Sequence, residues 1–374
     1  MKVKKLLQTE SVLCIAVVLA LASMLAVRPD RNYGSYIDWR TLAVLFSLMT
    51  VTAGLRRQGI FDRLGRAMLA RMKSTAGLVL ALVGLCFFGS MLITNDVALI
   101  TFVPFALGVL GTLDETEQKR IIVPVVAMQT LAANLGSMLT PVGNPQNLYL
   151  YARGGLTAGQ LIRLMGPYTL LAGIALAVWA RALTRRGAAR APGVPNAPQA
   201  RADGRLAALY AALFALCLLA VLRVLPYQAA FFAVLAAALL FDRKTLRLVD
   251  YSLLATFAAL FVFIGNLGRL PALSALLART LAGREVPVAV AASQVMSNVP
   301  AALLLAGFSD DVPALLVGTN LGGLGTLIAS MASLISYRLL TRARPGEKRR
   351  YFVCFTVSNL ALLALELALW AAIG

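Results

Sequence analysis

Residues 286–309 read VPVAVAASQVMSNVPAALLLAGFS, a run without one charged side chain and long enough to be taken for a single membrane-crossing helix. The polar pair Ser297 and Asn298, followed by Pro300, divides it. From Pro287 to Ser297 the chain would rise about 16 Å as a helix, roughly half of a hydrocarbon core about 30 Å thick. That piece cannot cross. The expectation is a hairpin that enters and leaves on one side of the membrane, with Asn298 at its tip. Pro300 then sits in the first turn of the returning helix, where its missing N–H is not needed.

The pattern occurs twice, among landmarks that keep their order. Thr94-Asn95-Asp96-Val97-Ala98 is echoed by Ser297-Asn298-Val299-Pro300-Ala301, and Ile37-Asp38-Trp39 by Val249-Asp250-Tyr251. Asn134-Leu135-Gly136 with Thr140 returns as Asn320-Leu321-Gly322 with Thr326. Residues 74–94 could span alone, so the first hairpin is inferred from the repeat. Residues 134–147 hold Gly136, Pro141, Gly143 and Pro145, which must break a helix. Unwound backbone at membrane depth survives only where it is buried in protein or lines a polar cavity. Basic stretches at 56–72 and 269–284 lie between the first two landmarks of each half. In the first, Ile60, Phe61, Leu64 and Met68 fall opposite Arg57, Arg63 and Arg66, the pattern of a helix lying in the membrane surface.

Composition sets the class. The chain is 60% apolar and 14% charged, against about 45 to 50% and about 25% in soluble domains, with no room for a separate aqueous domain. It has no histidine, which removes His-based triads, proton shuttles and the commonest zinc sites. No lysine follows a glycine, so the phosphate cradle of ATP-driven pumps is absent. The four cysteines lie far apart in apolar runs and suggest neither disulfides nor a metal site. Ser297, with no histidine or adjacent lysine as base, offers no catalytic nucleophile, and no enzyme is expected.

The net charge of +19 reads as topology, with no nucleic-acid partner. With the N-terminus cytoplasmic, about nine full spans and the two hairpins, 26 of the 35 Lys and Arg residues face the cytoplasm. This is the positive-inside pattern. Residues 11–27 behind Lys2, Lys4 and Lys5 resemble a secretory signal but are read as the first membrane helix. Asp38 then falls at the outer face and Asp250 at the inner one. The expected fold is an all-α polytopic membrane protein of two inverted-topology repeats, 1–184 and 206–374, joined by a cytoplasmic linker at 185–205. It carries two re-entrant hairpins with tips at 94–96 and 297–299, and two interfacial helices. It would sit in the inner (plasma) membrane with its C-terminus outside.

Broken helices aim partial positive N-termini and unwound carbonyls at one place, which can hold an anion and a cation together. The expected ligands are Thr94, Asn95, Asp96, Asn134, Thr140, Asn144 and Asn147 in the first half, and Ser297, Asn298, Thr319, Asn320 and Thr326 in the second. Asparagine suits such tips because its amide both donates and accepts. Asp96 at mid-bilayer needs a cation, a proton or a cavity. It is the expected coupling-ion residue, with Asn95 beside it as a sodium ligand; the alternative makes Asp96 a helix cap. Glu366, another intramembrane carboxylate, lies towards the outer end, where it could snorkel. The first half is the more polar, so the primary ion site is expected there.

LITNDVALITFVPF (92–105), NLGSMLTPVGNPQNL (134–148), SNVPAALLL (297–305) and GTNLGGLGTLIASMASL (318–334) resemble the citrate-transporter-like ion transporter superfamily. That group embraces arsenite permeases, sodium:proton antiporters and divalent-anion:sodium symporters. The resemblance implies inverted repeats, a site between the hairpin tips, and often a homodimer with an elevator-like motion. Its dicarboxylate symporters carry Ser-Asn-Thr at both tips, where this chain has Thr94-Asn95-Asp96 and Ser297-Asn298-Val299. The asparagines carry over and the threonines do not, which disfavours citrate or succinate. The function expected is secondary active transport of a small inorganic or organic anion or oxyanion, coupled to sodium or protons, with no other cofactor. Sodium:proton antiport is the alternative, and an ion channel a more distant one.

Overall fold

The computed structural model describes residues 10–185 and 203–373. Lys2, Lys4 and Lys5 and most of the expected linker, 186–202, lie outside them. Among the described residues all regular structure is helical. The first half runs α1 (Ser11–Ala26), α2 (Trp39–Arg57), α3 (Ile60–Leu69), α4 (Thr75–Leu92), α5 (Asn95–Leu110), α6 (Glu115–Ser137), α7 (Pro145–Arg153) and α8 (Ala158–Thr184). After α9 (Gly204–Val221) come α10 (Tyr227–Phe241), α11 (Tyr251–Gly268), α12 (Pro271–Leu281), α13 (Glu285–Met296), α14 (Asn298–Ala306), α15 (Val312–Leu321), α16 (Met331–Ala343) and α17 (Lys348–Ile373). Short helices Tyr33–Tyr36 and Arg243–Leu246 precede α2 and α11. The order from α1 to α8 is therefore met again from α10 to α17, with α9 between.

Among the described residues five helices are long and apolar enough to cross a membrane: α4, α8, α9, α11 and the last, counted from Pro345 to Ile373. Three uncharged runs of spanning length are divided instead. Residues 121–152 break at 138–144, 286–309 at Ser297, and 312–337 at 322–330. α13 and α14, with 12 and 9 residues, rise about 18 and 14 Å. Ser297 between them has φ 71°, a conformation that L-residues rarely adopt and that only surrounding structure can hold. Ile93 and Thr94, between α4 and α5, are ordinary extended backbone.

Helix starts follow from side chains that satisfy orphan N–H groups. Asp38 accepts from the Thr41 N–H, Asp250 from Leu253 and Asp114 from Glu117, while Thr157 and Gln160 close a capping box on α8. The basic stretches expected to be interfacial contain the helices α3 and α12, each shorter than the stretch around it.

The helices pack as two groups. In one, α1 lies along α11, and α9 and α10 lie along α2. Ala16, Ala20 and Ser23 form the buried stripe of α1, and Asn266 of α11 donates to the Ser23 hydroxyl at 2.9 Å. Ion pairs close this group at both ends: Arg57 with Asp242, and Arg269 with Asp30 at 2.8 Å. The pairs occupy matching positions, since each arginine lies 19 residues after its landmark aspartate, Asp38 or Asp250, and each partner 8 residues before the other one. Asp242 is further held by Thr245 and Tyr210. Burial works against its ionisation, but the hydrogen bonds of Thr245 and Arg57 and the guanidinium charge outweigh it and hold the carboxyl below its ordinary range.

The second group comprises α4 to α8 and α13 to α17. Here α5 packs on α16 and, at the matching place, α14 packs on α7. Glu366 of α17 does not snorkel as its position suggested. It is wholly buried, with neither carboxylate oxygen hydrogen-bonded, because that face of α17 turns inward against α6, α8 and α15.

Candidate functional site

Each hairpin tip is tied to the broken helix of its own half by the same two bonds. The Asn95 N–H donates to the Gly143 carbonyl and the Asn298 N–H to that of Ala329, both at 3.0 Å. The Thr140 hydroxyl donates to the Met91 carbonyl at 2.6 Å, and the Thr326 hydroxyl to that of Gln294 at 3.3 Å. The breaks are then cross-linked between halves. Asn320 donates to the Asn147 side-chain carbonyl at 2.7 Å and accepts from the Asn144 amide at 3.5 Å. At the corresponding places Asn134 donates to the Ser333 hydroxyl at 3.4 Å and accepts from Ser330 at 3.1 Å. The Asn95 amide joins this second set through the Asn134 carbonyl at 3.1 Å. A buried network satisfied in this way fixes one geometry, and each missing member would leave a costly orphan.

Two glycines let the breaks approach the hairpins. A Cβ on Gly136 would run into the Phe87 carbonyl and the Ser90 hydroxyl, and one on Gly322 into the Ser293 hydroxyl. Ser90 and Ser293 stand the same four residues before Thr94 and Ser297.

A cavity of about 160 Å³ lies beside the first tip, walled by Thr94, Asp96, Asn144, Arg56 and Asp250 over an apolar floor that includes Leu48 and Leu148. A smaller one, about 90 Å³, lies beside the second tip and is lined by Ser297, Pro300, Thr256 and Arg338. Asp250 and Leu253, at the start of α11, wall both. In the first cavity one oxygen of Asp96 and the side-chain carbonyl of Asn144 are buried without a hydrogen bond. Native proteins rarely leave such acceptors open. Each is an open acceptor on a residue that walls the cavity, of the kind a cation or a ligand bearing O–H groups can satisfy.

The expected ligands therefore divide. Thr94, Asp96 and Asn144 reach the first cavity and Ser297 the second. Asn95, Asn134, Asn147 and Asn320 build the network behind them, while Asn298 anchors its tip through its backbone. Thr140 and Thr326 brace breaks to hairpins, and the Thr319 hydroxyl turns back to the Leu315 carbonyl of its own helix. Asp96 makes no capping bond: the position before α5 belongs to Thr94, and the Asp96 N–H is taken by the Asn95 side chain.

Sequence reasoning missed Arg56, Asp250 and Gln294 as parts of the site. The Gln294 amide donates to the carbonyls of Gly322 and Leu324 at 2.9 Å each, and its oxygen accepts from the Thr326 N–H. A lone glutamine in the apolar run 286–296 was the available signal.

Comparison with known proteins gives a family and several relatives. The family described as "Citrate transporter" matches residues 5–332. The chain is 32% identical over 357 residues to "Inner membrane protein YbiR" of Escherichia coli (strain K12), covering 92% of this chain and 88% of that protein. It is 30% identical over 314 residues to "Uncharacterized transporter MJ0456" of Methanocaldococcus jannaschii, covering 81% of each. A shorter likeness, 32% identity over 124 residues, links 33% of this chain to 24% of "Silicon efflux transporter LSI3" of Oryza sativa subsp. japonica.

Proposed function

Because the chain belongs to the citrate transporter family, we propose that this membrane transporter moves a small oxyanion or its neutral acid by alternating access, coupled to sodium or protons. The observation that carries the reading is the pair of open buried acceptors, Asp96 and Asn144, on residues walling a cavity that Arg56 also lines. A cation or proton at Asp96 satisfies the carboxylate. Arg56 and Thr94 then remain as donors for substrate oxygens.

The site lies between two inverted halves in this reading. The spans are α1, α2, α6 with α7, α8, α9, α10, α11, α15 with α16, and α17, nine in all. The pairs α4 with α5 and α13 with α14 are hairpins from opposite faces. Each half contributes an even number of crossings, so the single helix α9 inverts the second relative to the first. The matched pairs Arg57 with Asp242 and Arg269 with Asp30 support this arrangement, one at each face. Both cavities are walled by residues at helix ends that the charge pattern assigns to the cytoplasm, Arg56, Asp250 and Arg338. The structure then corresponds to the inward-facing state. The cavity beside the first tip has space for about ten waters, enough for an inorganic oxyanion with its coupling ion.

Sodium:proton antiport remains the second reading, favoured by two carboxylates, Asp96 and Asp250, on one cavity. Proteoliposomes separate the two. Uptake of phosphate, arsenite, silicate and citrate is measured while sodium and proton gradients are imposed independently. Gradient-driven uptake of at least one supports the proposal. Sodium–proton exchange with no solute carried would overturn it in favour of antiport.

A further inference from the structure

Arg56 stands at the end of α2 between two spaces. It walls the cavity at the first hairpin tip, with Asp96 and Asp250, and it also lines a groove of about 450 Å³ between α3 and α5. Ile100 is shared by the two spaces as well. Arg56 is half-buried and, among the described residues, makes no ion pair and no side-chain hydrogen bond. Its neighbour Arg57 is spent on Asp242. A guanidinium offers its donors in a planar fork that matches two oxygens of an oxyanion, and Arg56 lines the cavity with no other side chain among the described residues holding it.

The matched ion pairs fix the alignment of the halves without a gap at this point, because Arg57 corresponds to Arg269 through equivalent partners. One position earlier, Arg56 corresponds to Gly268. The two ends of the scaffold are therefore alike in their ion pairs and unlike in this residue. Gly268 is exposed, and a Cβ there would meet nothing within 4 Å.

We infer that Arg56 binds an anionic oxygen of the substrate in the inward-facing state only, and that Gly268 leaves the site without a guanidinium when it faces outward. The inference rests on the alternating-access reading and adds to it a difference between the two faces. Affinity for an oxyanion is then higher from the cytoplasm than from outside. The overall equilibrium is set by the gradients alone, so tighter binding on the inner side is offset by a loaded carrier that favours the inward-facing state more than the empty carrier does. Asp96 and Asp250 impose an order: with the coupling cation or proton on Asp96, one carboxylate faces one guanidinium and an anion can approach.

Two measurements test this, one of which needs no substrate. In inside-out vesicles a cysteine at Thr94 reports the cavity's potential through its reaction rates with anionic and cationic methanethiosulfonates. Arg56→Gln should lower the anionic-to-cationic rate ratio about ten-fold, and Arg56→Lys should retain it, which separates charge from misfolding. An unchanged ratio in Arg56→Gln overturns the inference. In proteoliposomes sorted by orientation, KM is measured from each face for whichever of phosphate, arsenite, silicate and citrate is carried. Arg56→Gln should raise the cytoplasmic KM about ten-fold or more and leave the outer KM within about two-fold, while Gly268→Arg should lower the outer KM. Equal shifts on both faces, or none, overturn it. If none of the four is carried by the unaltered protein, the transport reading fails while the rate ratio still reports on Arg56.

Discussion

Asp96 and Asn144 illustrate what one atom can decide. Asp96→Asn keeps the size and shape while removing the charge and replacing one acceptor oxygen with a donor NH2, and since Asp96 makes no capping bond, helix α5 should be indifferent to the change. The expected outcome is protein that melts within a few degrees of the unaltered one, with transport lost or no longer responsive to sodium and proton gradients. An unchanged response to both gradients would remove Asp96 from coupling. Gly136→Ala should behave in the opposite manner. Its methyl group meets the Phe87 carbonyl, so about 1 to 3 kcal/mol of stability should be lost, read as a lower melting temperature in detergent. At this scale the sequence was partly legible. Asparagines in an apolar run announce themselves, and Thr94, Asp96, Asn144 and Ser297 do reach the cavities. Arg56 and Asp250 did not, because a basic residue at the end of a helix and an aspartate at the start of one already have ordinary roles in charge topology and capping.

Among elements, the broken helices carry the cross-links between halves, and those links should be energetically coupled. A double-mutant cycle on Asn320→Ala and Asn147→Ala should give a coupling of about 0.5 to 1.5 kcal/mol. The same cycle on Asn320 and Thr319, whose hydroxyl is committed to its own helix, serves as the control. A value near zero for the first pair would mean that the 2.7 Å contact adds nothing to the joining of the breaks. The break between α13 and α14 was legible because Ser297, Asn298 and Pro300 interrupt the apolar run, leaving helices of 12 and 9 residues. The hairpin α4–α5 was not legible on its own, since the 18 residues of α4 suffice for a span and only the repeat marks the turn. Ser330 and Ser333 answer Asn144 and Asn147 in the register of the halves, but with a different side-chain type they were not among the expected ligands. The register across the halves identifies them, and composition does not.

Over the whole molecule, the arrangement predicts which surfaces are reached from which side. Cysteines introduced at 342–350 should react only with reagents added from the cytoplasm, and those at 32–36 and 153–154 only with reagents added from outside. Labelling of 342–350 from outside would refute the orientation and, with it, the inward-facing assignment of the cavities. The packing of α1 on α11 also constrains how the chain is made. Helix α1 is made well before its partner: the surface that covers Ala16, Ala20 and Ser23 is synthesised roughly 225 residues later, which at translation rates of 5 to 20 residues per second is a wait of about 10 to 45 s. Through that interval the small-residue stripe of α1 faces lipid or an insertion chaperone, and α2 likewise awaits α9 and α10. A nascent chain halted before residue 251 should therefore cross-link through α1 to the insertion machinery, and release it once α11 has emerged.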